Sequence, residues 1–294
     1  MPRRCLENAV KSKFYINLGI LVIIIYVDAI YCELAYKQIL HSRYGQTLTY
    51  QLKKEEDSVQ SSYYFEWDLE YSAKGWKVTV NNDDEYYIND LSMLGVHYNN
   101  QSDEISDCFE RVLFERYIGY HASMVANHQG EVIMICGRAG SGKTTLTKAF
   151  IDIGYNYVSD DLALIDENLV CQYFRTSFHI RTNQSPETHE INHEHRRFEI
   201  VSKQPMLPFT LKLKSIIILN SLLDAKRDVK AISNIYEKFQ SINSLIIGFP
   251  SCDYVFTLAK RMLSLPFYLI GLSRNEAPKE AARSIGDLIW LKNA

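Results

Sequence analysis

A chain of 294 residues, 47% of them hydrophobic, has enough apolar mass for one large α/β domain with a smaller module beside it. Its formal net charge of -3 offers no basic footprint, so nucleic acid is not an expected partner. The six cysteines, Cys5, Cys32, Cys108, Cys136, Cys171 and Cys252, show no C-x-x-C spacing, which argues against both a disulfide framework and a zinc site.

Residues 1–46 read as an apolar, helical N-terminal segment. Its centre, from Phe14 to Val27, is strongly apolar and is preceded by Arg3, Arg4, Lys11 and Lys13, like the charged head and apolar middle of a signal peptide. The run is shorter than the roughly 20 residues of a spanning helix, Asp28 and Glu33 follow it, and no A-x-A-like cleavage site is evident. A buried core segment is the expectation, with weak membrane association through residues 14–27 as the alternative. Residues 47–118 then read as β-rich: Tyr63–Trp67 and Trp76–Val80 alternate, and Asn81-Asn82-Asp83-Asp84 breaks the pattern in the manner of a hairpin turn. From Asp107 to Tyr117 a rough helical stripe of Cys108, Val112, Leu113 and Tyr117 leads into a strand around His121.

Residues 119–294 carry the chemistry. The stretch Gly137-Arg138-Ala139-Gly140-Ser141-Gly142-Lys143-Thr144 fits the phosphate-cradling pattern G-x-x-x-x-G-K-[ST]. The apolar run Val132–Cys136 precedes it as a buried strand, and Leu146, Ala149, Phe150 and Ile153 follow at helical spacing, with Gly154 as a C-terminal stop. In such a loop glycines turn backbone N–H groups onto phosphates, the helix N-terminus adds its dipole, Lys143 reaches the outer phosphate oxygens, and the Thr144 hydroxyl faces Mg²⁺. Gly137 to Thr145 are therefore the expected ATP-binding residues. One helix and one strand later, Tyr155–Val158 runs into Ser159-Asp160-Asp161, which places two carboxylates beyond the carboxyl end of a strand, where ligands gather in open α/β sheets. Neighbouring strand residues point to opposite sides, so one acid is expected to face the acceptor hydroxyl or the metal while the other supports it from behind.

Beyond the acids, His189-Glu190-Ile191-Asn192-His193 satisfies H-E-x-x-H literally but lacks the amphipathic helix that would carry zinc. A mobile charged loop ending in Arg196 and Arg197 is expected there, with the arginines available to phosphate or an acidic substrate. Ser215–Asn220 reads as a second core strand that ends without a carboxylate, leaving the acid duty to Asp160 and Asp161. Leu265–Leu272 reads as a terminal strand, with Arg274 emerging after it.

Taken together, the loop through Leu146, the helix ending at Gly154, and Val158-Ser159-Asp160-Asp161-Leu162-Ala163-Leu164-Ile165 resemble the catalytic domain of HPr kinase/phosphorylase and its relatives. Tyr120-His121-Ala122-Ser123-Met124-Val125 is similar to that family's histidine-bearing strand, and the resemblance spans roughly residues 90 to 275. It implies an α/β fold whose P-loop nucleotide-binding domain is of the HPr-kinase C-terminal type, with a smaller β-rich N-terminal part. It also implies roles: Lys143 and Thr144 for ATP and metal, Asp161 as proton acceptor, Asp160 as the supporting, metal-facing carboxylate, and His121 as an assistant. Phe174–Arg181, where the bifunctional bacterial enzyme has a glycine-rich signature and a metal-binding glutamate, has neither, so a divergent relative is implied and phosphorylase activity is not expected. Some divergent relatives phosphorylate precursor peptides, including those of lasso peptides, and this chain looks more like that group.

The expected function is ATP- and Mg²⁺-dependent transfer of the γ-phosphate to a hydroxyl, a serine on a peptide or small protein, in the cytoplasm. A small-metabolite kinase, a carboxykinase-like phosphotransferase and a non-catalytic nucleotide-gated module stay open as alternatives, because the fold does not fix the reaction. A homo-oligomer is also left open.

Overall fold

A computed structural model describes residues 11–42, 44, 48–49, 63–94, 111–181, 196–199, 210–220, 226–248, 250 and 252–291. The chain divides into two compact units, Met1–Glu110 with Arg175–Ser202, and Arg111–Phe174 with Lys203–Ala294.

The first unit is built on a six-stranded sheet. Its strands are β1 (Lys11–Asn17), β2 (Leu21–Asp28), β3 (Leu48–Thr49), β4 (Tyr63–Ser72), β5 (Gly75–Val80) and β6 (Asp84–Ile88), in the spatial order β3-β1-β2-β4-β5-β6. Helix α1 (Cys32–Leu40) lies between β2 and β3 in sequence, and the Trp76 indole N–H donates to Gln38 Oε1 at 2.8 Å to tie it to β5. The apolar run from Phe14 to Val27 is thus two strands and not a helical segment. The cause is local: Asn17 Oδ1 accepts the Gly19 N–H at 2.9 Å, Gly19 takes a φ of 95°, and the Leu18 N–H closes onto Leu21 O at 2.8 Å. That turn folds β1 back on β2, and the β-branched residues of β2 fit a pleated surface better than a helix. The expectation of a buried core segment holds, since Phe14, Ile16, Ile23, Ile25 and Val27 are fully buried.

The structure also draws its divisions elsewhere than at residues 46 and 118. β2 pairs in parallel with β4, Leu21–Val27 against Tyr63–Leu69, so residues either side of 46 share one sheet. Residues 111–118 belong to the second unit, and 175–202, expected inside the catalytic part, belong to the first. There the Arg175 N–H donates to Leu18 O at 3.0 Å, and β13 (Phe178–Arg181) pairs antiparallel with β14 (Arg196–Glu199). Asn81 and Asn82, both in the left-handed region, make the expected turn between β5 and β6.

The second unit holds a six-stranded mixed sheet. β8 (Ala122–Ala126), β9 (Glu131–Gly137), β10 (Asn156–Ser159), β15 (Lys212–Leu219), β16 (Asp228–Ile232) and β18 (Phe267–Gly271) take the order β10-β8-β9-β15-β18-β16. β9, β15 and β18 are mutually parallel, and β8 is antiparallel to both β9 and β10, so β9, β10, β15 and β18 all end at the same edge. The strand around 265–272, expected to be terminal, is β18, the last strand in chain order among the described residues, and it lies between β15 and β16 in the sheet. Alternation along each strand supplies two faces. Ile133, Ile135, Ile217 and Ile270 pack with Leu146, Ala149 and Phe150 of α2 (Lys143–Asp152) and with Ala282, Ile285 and Ile289 of α5 (Pro278–Leu291). On the opposite face Met134, Cys136, Ile216 and Phe267 pack with Ile118, Tyr120, Ala163 and Ile165. Those last four come from β7 (Ile118–Tyr120) and β11 (Ala163–Ile165), in a second sheet ordered β12-β11-β7-β17 with β12 (Cys171–Gln172) and β17 (Ile246–Gly248). Helices α3 (Ile235–Asn243) and α4 (Cys252–Leu263) complete this layer, with Leu258 and Met262 buried in it. Among the described residues no helix is long and apolar enough to cross a membrane.

Candidate functional site

The loop from Gly137 to Gly142 leaves the end of β9 and enters α2 at Lys143, giving the strand, loop and helix in the order the sequence pattern requires. Two glycines are demanded by its geometry. At Gly137 a Cβ would sit 2.5 Å from Ser141 Oγ and 3.0 Å from Leu219 O, and at Gly142 the φ of 95° is left-handed where the helix begins. The Ser141 N–H donates to Arg138 O at 3.1 Å and the Leu146 N–H to Gly142 O at 2.9 Å, so the loop is wound as one turn on the helix N-terminus. Arg138, Ala139 and Gly140 form its exposed crown.

Lys143 is buried and folds back across this turn, donating to Gly137 O at 2.8 Å and Arg138 O at 3.4 Å. The Ser141 hydroxyl is buried in the same loop with no protein partner. A buried hydroxyl left unpaired is costly in a folded chain. A phosphate oxygen is the acceptor such a donor suits, and the glycine-lined turn and lysine beside it fit an anion of that kind. Thr145 is exposed on the first turn of α2, outside this cradle.

The acid pair lies at the end of β10, where the pairing with β8 shifts register between Tyr157 and Ser159. β10 stops at Ser159, so strand alternation does not separate the carboxylates as the sequence reading expects. Backbone conformation separates them instead: Asp161 takes a φ of 63°, and while Asp160 is buried, Asp161 is half-buried. Non-glycine residues in the left-handed region are uncommon and gather at functional sites. Asp160 Oδ2 accepts the Thr144 hydroxyl at 3.3 Å, which joins the acid pair directly to the first turn after the phosphate loop. Its other oxygen, Oδ1, accepts the hydroxyl of Ser123.

Ser123 is the residue that the sequence reading passes over. Its signal is a single hydroxyl in the otherwise apolar strand Ala122–Ala126, which needs a partner once buried. His121 lies in the step between β7 and β8, strands of two different sheets, and its backbone N–H donates to Leu245 O at 2.7 Å. Because Ala122 pairs with Cys136, His121 enters β8 at the edge from which the phosphate loop leaves β9. Cys136 is wholly buried there, and burial pushes its thiol up to about 12 against the opposing pull of the Lys143 charge, so it stays a neutral wall residue.

The expected loop from His189 to His195 lies outside the described residues. Arg196 and Arg197, expected at its end, are the first residues of β14, paired with Arg181 and Ile180 in the first unit. Asn220 follows β15 and donates its N–H to Ile270 O at 2.9 Å, while Arg274 after β18 is exposed. Among the described residues no group of three His, Cys, Asp or Glu side chains gathers as a metal cluster.

No family model matches the chain, and no curated protein matches it. Among solved structures, the Hpr(Ser) kinase/phosphatase from Coxiella burnetii overlaps with a TM-score of 0.32 at 17% identity, over 60% of this chain and 92% of that one. The likeness is distant.

Proposed function

We propose that this chain is an ATP-dependent kinase of the HPr-kinase-like kind, which moves the γ-phosphate of ATP to a serine hydroxyl on a peptide or small protein in the cytoplasm. The observation that carries this reading is the bridge from Thr144 of the phosphate loop to Asp160, with the half-buried Asp161 next in the chain in a left-handed backbone conformation. A glycine loop alone supports binding of a nucleotide. A loop joined to an acid pair supports transfer from it.

In this reading the loop N–H groups, Ser141 and Lys143 hold and neutralise the phosphates, which is the charge stabilisation phosphoryl transfer most needs. Thr144 and Asp160 are the residues that would face Mg²⁺, whose contribution when bound is further neutralisation of the phosphate oxygens. Asp161 takes the proton of the incoming serine hydroxyl as that oxygen bonds to the γ-phosphorus, while the bond from that phosphorus to the β–γ bridging oxygen breaks and ADP leaves. His121, entering β8 at the same edge, assists there. The peptide acceptor rests on the motif resemblance, not on a substrate surface.

The experiment is transfer of labelled phosphate from ATP to serine peptides, alanine-substituted controls and free small-molecule alcohols. Label on serine peptides alone is the expected result. Efficient transfer to a free alcohol moves the reading to a metabolite kinase, and ATP binding without transfer to any acceptor moves it to a regulatory module.

A further inference from the structure

Ser123 is fully buried in β8, and the four other residues of that strand, Ala122, Met124, Val125 and Ala126, are apolar and buried as well. Its hydroxyl donates to Asp160 Oδ1, while Asp160 Oδ2 accepts from Thr144 at 3.3 Å. Asp160 is only 1% exposed, so its carboxylate has no room to swing into solvent. The two oxygens are thus assigned to different neighbours: one to a strand of the sheet, the other to the first turn of α2. The Thr144 contact, at 3.3 Å, is the one that a cation between these groups would replace.

We infer that Ser123 is a positioning residue that restricts Asp160 to offering one oxygen to a divalent cation, and that it thereby sets a preference for Mg²⁺ over Ca²⁺ at the Thr144–Asp160 pair. The inference rests on the nucleotide-binding reading above. Its physical basis is the difference in coordination between the ions. Mg²⁺ takes about six ligands in near-ideal octahedral geometry and is served by single carboxylate oxygens, whereas Ca²⁺ accepts about six to eight and readily takes both oxygens of one carboxylate. A carboxylate with one oxygen committed to Ser123 suits the first ion and penalises the second. Without that hydroxyl, the restraint that β8 places on Oδ1 is gone, that oxygen becomes available to the ion beside Oδ2, and the penalty on Ca²⁺ falls.

The test is the affinity of the full chain for ATP, by calorimetric titration, with Mg²⁺, with Ca²⁺ and with neither, in the parent, Ser123→Ala and Ser123→Thr. In Ser123→Ala the gain in affinity from Mg²⁺ should fall about 10- to 100-fold, the effect usual for groups that orient metal ligands. The gain from Ca²⁺ should be kept or should rise, so that the ratio of the two gains collapses, and Ser123→Thr, which retains the hydroxyl, should restore it. An unchanged ratio in Ser123→Ala overturns the inference, and so does an equal loss with both ions, which marks a merely structural role. If the added methyl of Ser123→Thr prevents folding, the Ser123→Ala ratio decides alone, because a ratio does not depend on the folded fraction. A parent that binds no ATP under any condition overturns the nucleotide reading and this inference with it. A parent that binds ATP while substitution leaves the ratio flat overturns the inference only.

Discussion

Asp161 holds a φ of 63°, a conformation that costs most L-residues about 1–2 kcal/mol and that Asn and Asp tolerate best. Asn is therefore the substitution that removes the charge and keeps the backbone. Asp161→Asn should leave the thermal midpoint and ATP affinity near the parent values while phosphotransfer drops about 10²- to 10⁴-fold, the span usual for loss of an acid–base group. Near-parental turnover in a single-turnover assay would show that another group accepts the proton. Lys143 separates binding from chemistry in the opposite way. Its ammonium already bridges Gly137 O and Arg138 O, so Lys143→Ala should cost a little stability but about 1.5–3 kcal/mol of ATP binding, the worth of a charged hydrogen bond. A titration with unchanged affinity would refute its role. The neighbouring thiol yields a pH effect with a definite sign. Cys136 is held near 12 in the folded chain against an ordinary value of 9.0, so between those limits the unfolded chain has lost a proton that the folded chain keeps. Stability is fully present below about pH 9 and falls as pH rises, because the folded state binds more protons there. Urea midpoints taken from pH 8 upward should show this decline, and Cys136→Ala should remove its share of the slope, the remainder coming from Cys171 and Tyr120, which burial pushes up in the same direction.

The phosphate loop is the element whose geometry leaves least freedom. Gly137→Ala places a methyl 2.5 Å from Ser141 Oγ and 3.0 Å from the Leu219 carbonyl, and the second of these belongs to the neighbouring strand β15, which cannot yield. A cost of about 1–3 kcal/mol in urea unfolding is expected, together with loss of ATP affinity, as the loop must move outward to relieve the contact. This loop was legible in the sequence because every constraint on it is local: a buried strand, glycines where a Cβ clashes or φ is left-handed, and a helix that stops at Gly154. The acid pair was legible for the same reason, although its two carboxylates are parted by backbone strain at Asp161 and not by strand alternation. What the sequence hid were pairings between distant segments. Ser123 meets Asp160 across 37 positions, and nothing near either residue announces the other. The Phe14–Val27 run misled through its length, since a continuous apolar stretch suits a buried helix as well as two strands, and the deciding residues were Asn17 and Gly19 in its middle.

At the scale of the whole chain, the division into units bears on what can be removed. β2 lies inside the first sheet, with β1 antiparallel on one side and β4 parallel on the other, and its Ile23, Ile25 and Val27 are fully buried. A chain begun at Gln38 lacks both strands and most of α1. It exposes the full edge of β4, including the buried side chains of Phe65, Trp67 and Leu69, and an open apolar strand edge of that length pairs with other chains. The truncation should therefore aggregate, as followed by size-exclusion chromatography and light scattering, whereas the parent should not. A membrane-anchoring role for residues 14–27 predicts the opposite, a truncation that is better behaved than the parent and keeps its ATP binding. Ile23→Asp on the full chain sharpens the contrast: an unpaired carboxylate at a fully buried position should unfold the first unit, while a segment that only rests on a membrane would tolerate it in detergent-free buffer.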